Sequence, residues 1–250
     1  MKTERRIVAY GDSLTKGHFK MPTEGALRTR YLPYTYFLKP LVSRYLRERR
    51  NPLSVYIENV SEDGMAVGRN GFYIFSFGQS LEIPVSDVLD LEPDACIVLG
   101  GTNNLGILLS ADSDAERVAN AIAGDLFAVY TTLKEADVEP VSVTIPPVVV
   151  SPEQRKDFRF LVEGRQRLND RIKEYSIRNG INCADLFAAT ATEDGWMRGE
   201  YANDGLHFNP KGYFAMAEAI FDQGVKPILD AWLGEDRNRR GILGRMRIGR

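Results

Sequence analysis

Short apolar runs alternate with longer helix-like segments along this 250-residue chain, and this alternation limits the folds open to it more than any other feature. Strands that are separated by helices form parallel sheets covered by helices on both faces. The sequence therefore predicts an α/β fold, a three-layer α/β/α sandwich around a five-stranded parallel sheet. The five runs with the length and composition of buried strands are Ile7 to Tyr10, Leu53 to Ile57, Ala95 to Leu99, Val141 to Ile145 and Asn182 to Asp185.

The segments between the strands carry helix signals of their own. The segment Ser151-Pro152-Glu153-Gln154 has the pattern of a capping box with proline at the first helical position, and it predicts the start of a long helix. The last helix is predicted from about Pro210 to Leu233. Between the third and fourth strands, apolar residues recur at helical spacing at Val118, Ile122, Leu126, Val129 and Leu133.

The motif Gly11-Asp12-Ser13-Leu14 directly follows the first predicted strand. Open α/β sheets hold their reactive groups where buried strands end, so this position suits a nucleophilic serine hydroxyl. A Gly-Asp turn followed by a serine N-cap would explain the same residues structurally. Three further segments of the chain favour the interpretation of Ser13 as a nucleophile.

A histidine that could activate Ser13 lies near the far end of the chain, in the segment 204–207. A serine hydroxyl needs a base that takes its proton and a second group that orients the base. The glycine between Asp204 and His207 allows the loop to fold so that the carboxylate meets one ring nitrogen. The Asn-Pro pair at 209–210 predicts a helix start, which would hold the base beside a rigid element.

Two other segments, after the second and third predicted strands, could stabilise negative charge on a substrate oxygen. The side-chain amide of Asn103, which follows Gly100 and Gly101, suits an oxyanion hole. A backbone N–H near Gly64 would be a second donor, because glycine lets a ligand approach the backbone closely. Each segment taken alone is also typical of an ordinary turn.

The chain resembles the GDSL esterase and lipase family, also called SGNH hydrolases. The resemblance rests on residues at the ends of successive strands, Ser13, Gly64, Asn103 and His207, and on Asp204 three residues before the histidine. The resemblance implies a flavodoxin-like SGNH hydrolase fold. It also implies ester hydrolysis by a Ser13, His207 and Asp204 triad, with an oxyanion hole formed by N–H groups of Ser13, Gly64 and Asn103. No cofactor and no metal are implied.

The resemblance runs from Ile7 to about Trp232. Two positions depart from the family pattern. Many members have glycine where Ser61 stands, so we assign the glycine donor to Gly64. Many have aspartate where Asn104 stands, which leaves the support of the loop around Asn103 open.

Composition and charge exclude several functional classes. The net charge of −2 gives no basis for a nucleic-acid partner, and no apolar stretch is long enough to span a membrane. The charged start of the chain lacks the apolar region of a signal peptide, so we expect a cytoplasmic protein. Cys96 and Cys183 lie in apolar strand-like segments, where free thiols are commonly buried. Because His18 has no acidic neighbour in sequence, we interpret it as an ordinary loop side chain, and no metal cluster is predicted.

We expect an SGNH hydrolase domain at 1–233 and an arginine-rich C-terminal tail at 234–250 that stays solvated. The partner implied by the resemblance is a small-molecule ester, with an acylated carbohydrate among the candidates. The aromatic run 71–77 is either core or the wall of an acyl or sugar pocket. Polar residues near the site favour short acyl chains over the alternatives, a long-chain thioesterase or lysophospholipase and an inactive binding module. These polar residues are Lys16, His18, Lys20, Arg28, Arg30, Asn70, Tyr73 and Ser76.

Overall fold

The computed structural model describes residues 3–76 and 79–234, with only the backbone described at 75, 76, 79 and 80. Five strands form a central sheet in which every neighbouring pair is parallel. Numbered by their place in the chain, they have the 2-1-3-4-5 order of flavodoxin-like folds, so the predicted fold class is confirmed. Across the sheet the strands are β10 (Asn182–Ala184), β9 (Glu139–Val143), β8 (Ala95–Leu99), β1 (Glu4–Gly11) and β4 (Ser54–Ser61).

The carboxyl ends of β4, β1 and β8 lie level with one another. Gly11, the last residue of β1, pairs with Ser61 on one side and with Leu99 on the other. In open parallel sheets, ligands bind outside the carboxyl ends of the strands, where the strand order reverses. The strand order reverses at β1. The loops that follow β4, β1 and β8 therefore meet where a ligand is expected to bind.

Helices cover the sheet. The strand residues 7–10 and 95–99 have no exposed surface, which is typical of central parallel strands. Two helix pairs flank the sheet: α2 (Tyr34–Glu48) packs against α8 (Pro210–Ile220), and α5 (Ala115–Glu135) packs against α6 (Arg159–Asn179). The five apolar positions predicted for α5 are all buried. The shorter helices are α1 (Ser13–Lys16), α3 (Val85–Leu89), α4 (Thr102–Leu108) and α7 (Leu186–Thr190).

The helix predicted to begin at Ser151-Pro152 begins later, so that prediction is wrong. Pro152–Gln154 form one 3₁₀ turn, and α6 starts at Arg159. The Ser151 hydroxyl donates to Oε1 of Gln154 at 3.0 Å, so the serine bonds a side chain and caps no backbone N–H. The capping-box pattern here marks an isolated turn.

The last helical region extends from Pro210 to residue 234 and is interrupted. Phe221–Val225 form a π-helical turn between α8 and a helical segment at 226–234. Gly224 in this turn lies against β9, where a Cβ would come within 2.5 Å of the Val141 side chain. The close approach therefore requires glycine. Apart from Gly234, the predicted C-terminal tail lies outside the described residues.

Two antiparallel units follow the first two strands of the sheet and were not predicted. One is the hairpin of β2 (His18–Thr23) and β3 (Ala26–Tyr31), and the other is a sheet of β5 (Ala66–Gly68), β6 (Gly71–Ser76) and β7 (Gln79–Pro84). Phe72 is buried on β6, edge-on to the Tyr10 ring with centroids 4.6 Å apart, so it belongs to the core. Phe77 lies outside the described residues.

The described residues contain neither a membrane-spanning helix nor a disulfide. No helix in the described ranges combines the length and apolar character of a membrane span. Cys96 is buried in β8, Cys183 is half-buried in β10, and both thiols are free.

The carboxamide of Asn169 joins α6 to the loop after β9. Its Oδ1 accepts from the Ile145 N–H at 2.6 Å, and its Nδ2 donates to the Ile145 carbonyl at 2.9 Å. The residue is 2% exposed, so water cannot replace either bond. The amide thus pairs both backbone groups of one residue, as a neighbouring strand would.

We expect Asn169→Asp to lower the free energy of unfolding by about 3 kcal/mol, because a buried carboxylate has no hydrogen for the Ile145 carbonyl. Urea denaturation at neutral pH measures the change. Asn70→Asp, in the exposed turn between β5 and β6, is the matched control and should change stability by less than about 0.5 kcal/mol. Equal stabilities of the Asn169 variant and the wild type would contradict the assigned bonding.

Asp12 is the N-cap of α1 and has no exposed surface. Its Oδ1 accepts from the Leu14 N–H at 2.9 Å, whereas Oδ2 has no hydrogen-bond partner among the described residues. Burial raises the pKa of the carboxyl to about 7, and the bond from Leu14 only partly opposes this. The folded protein therefore holds a proton here that the unfolded chain releases at lower pH.

This difference makes stability depend on pH. As pH rises from about 4 to about 7, the free energy of unfolding of the wild type should fall by up to about 4 kcal/mol relative to that of an Asp12→Asn variant, which cannot titrate at this position. Urea denaturation of both proteins at about pH 4.5 and about pH 8 measures the change. Asp114→Asn, at the exposed N-cap of α5, is the control. An Asp12→Asn effect independent of pH would refute the raised pKa.

Candidate active site

Three side chains from opposite ends of the chain meet at the carboxyl edge of the sheet. Oγ of Ser13 is 2.9 Å from Nε2 of His207, and Nδ1 of His207 is 3.0 Å from each carboxylate oxygen of Asp204. Ser13 is the first residue of α1 and is 4% exposed. The structure therefore brings together the three residues of the predicted triad, in the order that activation of a serine by a base requires.

The surroundings of Asp204 favour its charged form. Burial raises the pKa of this carboxyl, but hydrogen bonds from the backbone and ring of His207, and a weaker one from the Leu206 N–H, outweigh burial and leave the pKa below its ordinary value. The ammonium of Lys20 is also 3.8 Å away. An ionised Asp204 accepts the Nδ1 proton of His207, so the Nε2 lone pair faces Ser13.

Asn209 fixes the loop 203–208, which carries the aspartate and the histidine. As predicted, it is the N-cap of α8, with its Oδ1 accepting from the Gly212 N–H at 3.0 Å. Its Nδ2 donates to the carbonyls of Glu200 and Ala202, at 2.8 and 3.2 Å. One side chain therefore ties the helix start to the segment that enters the loop.

The predicted oxyanion donors lie on the loops at the ends of β4, β1 and β8. Gly64 is exposed, has a φ of +76°, and has no atom within 4 Å of the place a Cβ would take. Within the described part of the chain, the backbone N–H groups of Gly64 and Ser13 have no hydrogen-bond acceptor. Nδ2 of Asn103 donates one hydrogen to the Met65 carbonyl at 2.6 Å and retains a second. Each predicted position thus has an N–H available.

Asn104, where many family members have aspartate, supports the loop that carries Asn103. Its buried carboxamide accepts from the Val67 N–H at 2.9 Å and donates to the Val67 carbonyl at 2.8 Å. Aspartate could make the first bond but not the second. Asparagine here therefore joins α4 to β5 through both backbone groups of one residue.

Ser61, the other departure from the family pattern, ends β4 beside Gly11. Its hydroxyl donates to Oδ1 of Asn59, and Nδ2 of Asn59 donates to the Thr15 carbonyl at 2.7 Å. The serine therefore orients an amide that ties β4 to α1, the helix that begins with Ser13.

The β2–β3 hairpin forms one wall of the site, because two contacts hold it beside the loop 203–208. Asn203 accepts from the Lys20 N–H at 2.6 Å and donates to the Lys20 carbonyl at 2.8 Å. The hydroxyl of Tyr213, on α8, donates to the His18 carbonyl at 2.7 Å.

His18 belongs to this site, so its interpretation as an ordinary loop side chain is wrong. It begins β2, and its ring stacks on that of His207 with centroids 4.3 Å apart and planes at 21°. No local pattern signals this contact, because it joins segments from opposite ends of the chain. The one available signal was that the chain contains only two histidines.

His18, Asp204 and His207 also form a group of metal-ligating side chains, the one found among the described residues, with ligand atoms within 4.8 Å of one another. Both ring nitrogens of His207 already face Asp204 and Ser13. The stacked rings also direct their lone pairs side by side rather than toward one point. These residues do not fit a tetrahedral metal site, and the absence of a resident metal stays a prediction.

Solved structures share this fold over most of their length. A carbohydrate acetylesterase family member from Sinorhizobium meliloti aligns with a TM-score of 0.62 at 15% identity, covering 92% of this chain and 99% of that one. An acetyl xylan esterase from Geobacillus stearothermophilus aligns with a TM-score of 0.57 at 16% identity, covering 88% of this chain and 94% of that one. A GDSL-like lipase from Bacteroides thetaiotaomicron VPI-5482 aligns with a TM-score of 0.55 at 16% identity, covering 86% of this chain and 85% of that one. At these identities the likeness establishes the fold.

Comparison with curated proteins gives no match. The family model described as GDSL-like Lipase/Acylhydrolase matches residues 9–215, a range that contains the loops after β1, β4 and β8 and the loop 203–208. The resemblance found in the sequence is confirmed: this chain belongs to the GDSL-like lipase and acylhydrolase family of ester hydrolases.

Proposed function

We propose that this protein is a serine ester hydrolase with Ser13 as nucleophile, His207 as general base and Asp204 as the group that orients the histidine. The proposal rests on the unbroken contacts from Asp204 through both ring nitrogens of His207 to the Ser13 hydroxyl, at 3.0 and 2.9 Å. A serine that only capped a helix would need no imidazole at hydrogen-bond distance. This arrangement allows the hydroxyl to lose its proton as it attacks.

In the proposed mechanism, Oγ of Ser13 bonds to the ester carbonyl carbon while its proton passes to Nε2 of His207. The carbonyl oxygen takes the electron pair and accepts hydrogen bonds from the N–H groups of Ser13 and Gly64 and from the second amide hydrogen of Asn103. The bond to the alcohol then breaks, and the imidazolium protonates the leaving oxygen. Water, deprotonated by the same histidine, releases the acid and restores Ser13.

We further propose that the substrate carries a short acyl group on a polar, hydroxyl-rich leaving group. Two of the similar structures are named a carbohydrate acetylesterase family member and an acetyl xylan esterase, which supports this choice. Charged and polar groups also surround the site: Tyr31 donates to Asp63 at 2.7 Å, and the Lys16 ammonium lies over the Tyr31 ring. A long acyl chain would need an apolar groove to gain about 0.8 kcal/mol per buried CH₂.

The alternative is a long-chain thioesterase or lysophospholipase. One observation favours it, since Met21 and Leu27 on the hairpin are 48% and 68% exposed. Such side chains could line the path of an acyl chain. An inactive binding module is disfavoured, because the triad is intact and in contact.

We expect Ser13→Ala to reduce ester hydrolysis by up to about a millionfold, because the nucleophile is lost. Turnover of p-nitrophenyl acetate measures the loss, and a fluorophosphonate probe followed by mass spectrometry should label Ser13 of the wild type. Ser86→Ala, at an exposed serine on α3, is the control. Wild-type turnover by the Ser13 variant, or an adduct on another residue, would refute the proposed nucleophile.

We expect kcat/KM to be higher for acetyl to butyryl esters than for acyl chains of about eight or more carbons, because charged and polar groups surround the proposed site and a long chain gains energy only from apolar surface. A series of p-nitrophenyl esters measures this, with acetylated xylo-oligosaccharides and acyl-CoA tested beside it. A kcat/KM that climbs steadily with chain length would instead select the long-chain alternative.

A further inference from the structure

The His18 side chain is held from several directions beside the proposed base. One face of its ring lies on His207, with centroids 4.3 Å apart. The Tyr31 ring meets the His18 ring edge-on, with centroids 5.8 Å apart. The Tyr213 hydroxyl donates to the backbone carbonyl of His18 at 2.7 Å. Its side chain is 16% exposed. The position of this ring is therefore set by the fold.

His18 also has a carboxylate of its own. Its Nδ1 is 3.3 Å from Oδ1 of Asp63, too poorly aligned for a hydrogen bond, and neither buried atom has another hydrogen-bond partner among the described residues. The second oxygen of Asp63 accepts from the Tyr31 hydroxyl. A second Asp–His pair thus lies alongside the Asp204–His207 pair.

The stacked ring restrains a motion that the triad contacts leave open. Asp204 and Ser13 hold His207 at its two ring nitrogens, and both contacts lie in the plane of the ring. Neither prevents the ring from swinging out of that plane when the Ser13 contact breaks during turnover. His18 covers one face and blocks that movement on its side.

We propose that His18 is a positioning residue for the catalytic base, and that its stacked ring keeps the His207 ring in the plane it needs to reach Ser13. The inference rests on the proposed function, in which His207 is the base. Correct placement matters because a displacement of about 1 Å can cost about a hundredfold in rate.

The test compares His18→Phe, which keeps a stacking ring, with His18→Ala, which removes it. Ser86→Ala, at an exposed serine on α3, is the control. The measurements are kcat and KM for p-nitrophenyl acetate on the plateau of the pH profile, fluorophosphonate labelling of Ser13, and thermal denaturation to verify folding.

We expect His18→Ala to lower the plateau kcat roughly tenfold and His18→Phe to recover most of that loss. The control should match the wild type in both kcat and KM.

The outcomes separate this inference from the proposed function. A wild type that neither hydrolyses esters nor labels at Ser13 overturns both. A plateau kcat as low in His18→Phe as in His18→Ala overturns positioning by the ring. If the alanine variant fails to fold, the phenylalanine variant decides through its kcat: a value near that of the wild type supports positioning by the ring, and a value about tenfold lower overturns it.

Discussion

Where the parallel strands end, the sheet stops supplying hydrogen bonds to the backbone, and asparagine side chains take over this task. Buried backbone N–H and C=O groups must be paired, and a carboxamide can accept from one and donate to the other. Asn104, Asn169 and Asn203 each bond both backbone groups of a single residue. Asn59 bonds a carbonyl of α1, and Asn209 bonds two carbonyls of the segment 200–202, so both tie neighbouring elements together. The geometry between the serine and the histidine depends on these bonds, because it joins loops from opposite ends of the chain.

Two carboxyl groups near the serine have opposite electrostatic surroundings. Asp204 receives N–H groups from its own loop, and these outweigh burial and keep its pKa low. Asp12 receives one backbone N–H and is otherwise enclosed, so burial raises its pKa to about 7. The difference lies in the deeper burial of Asp12 and in the donors and imidazole beside Asp204, rather than in residue type. It suits Asp204 to stabilise a cationic imidazole and Asp12 to cap the helix that presents Ser13.

The hairpin after α1 connects the proposed nucleophile to the proposed base. It leaves the sheet directly behind Ser13, and Asn203 and Tyr213 fasten it to the loop 203–208 and to α8. An isolated two-stranded hairpin is marginally stable in water, so these contacts account for its defined position. Through His18 the hairpin reaches the face of the His207 ring. The wall that would meet substrate and the proposed support of the base are thus parts of one element.

The sequence by itself determined the five-stranded parallel sheet and the residues proposed for the triad, because apolar periodicity and the segments around Ser13 and His207 are local patterns. It did not determine where α6 begins, since the pattern at Ser151 is satisfied equally well by a single turn. It missed the hairpin because a mostly exposed pair of strands has no buried run to mark it. His18 was placed wrongly for a related reason: its stacking on His207 depends on how two remote loops are fastened at the sheet edge. Only the tertiary structure decides such contacts, because they arise from spatial proximity that no local pattern records.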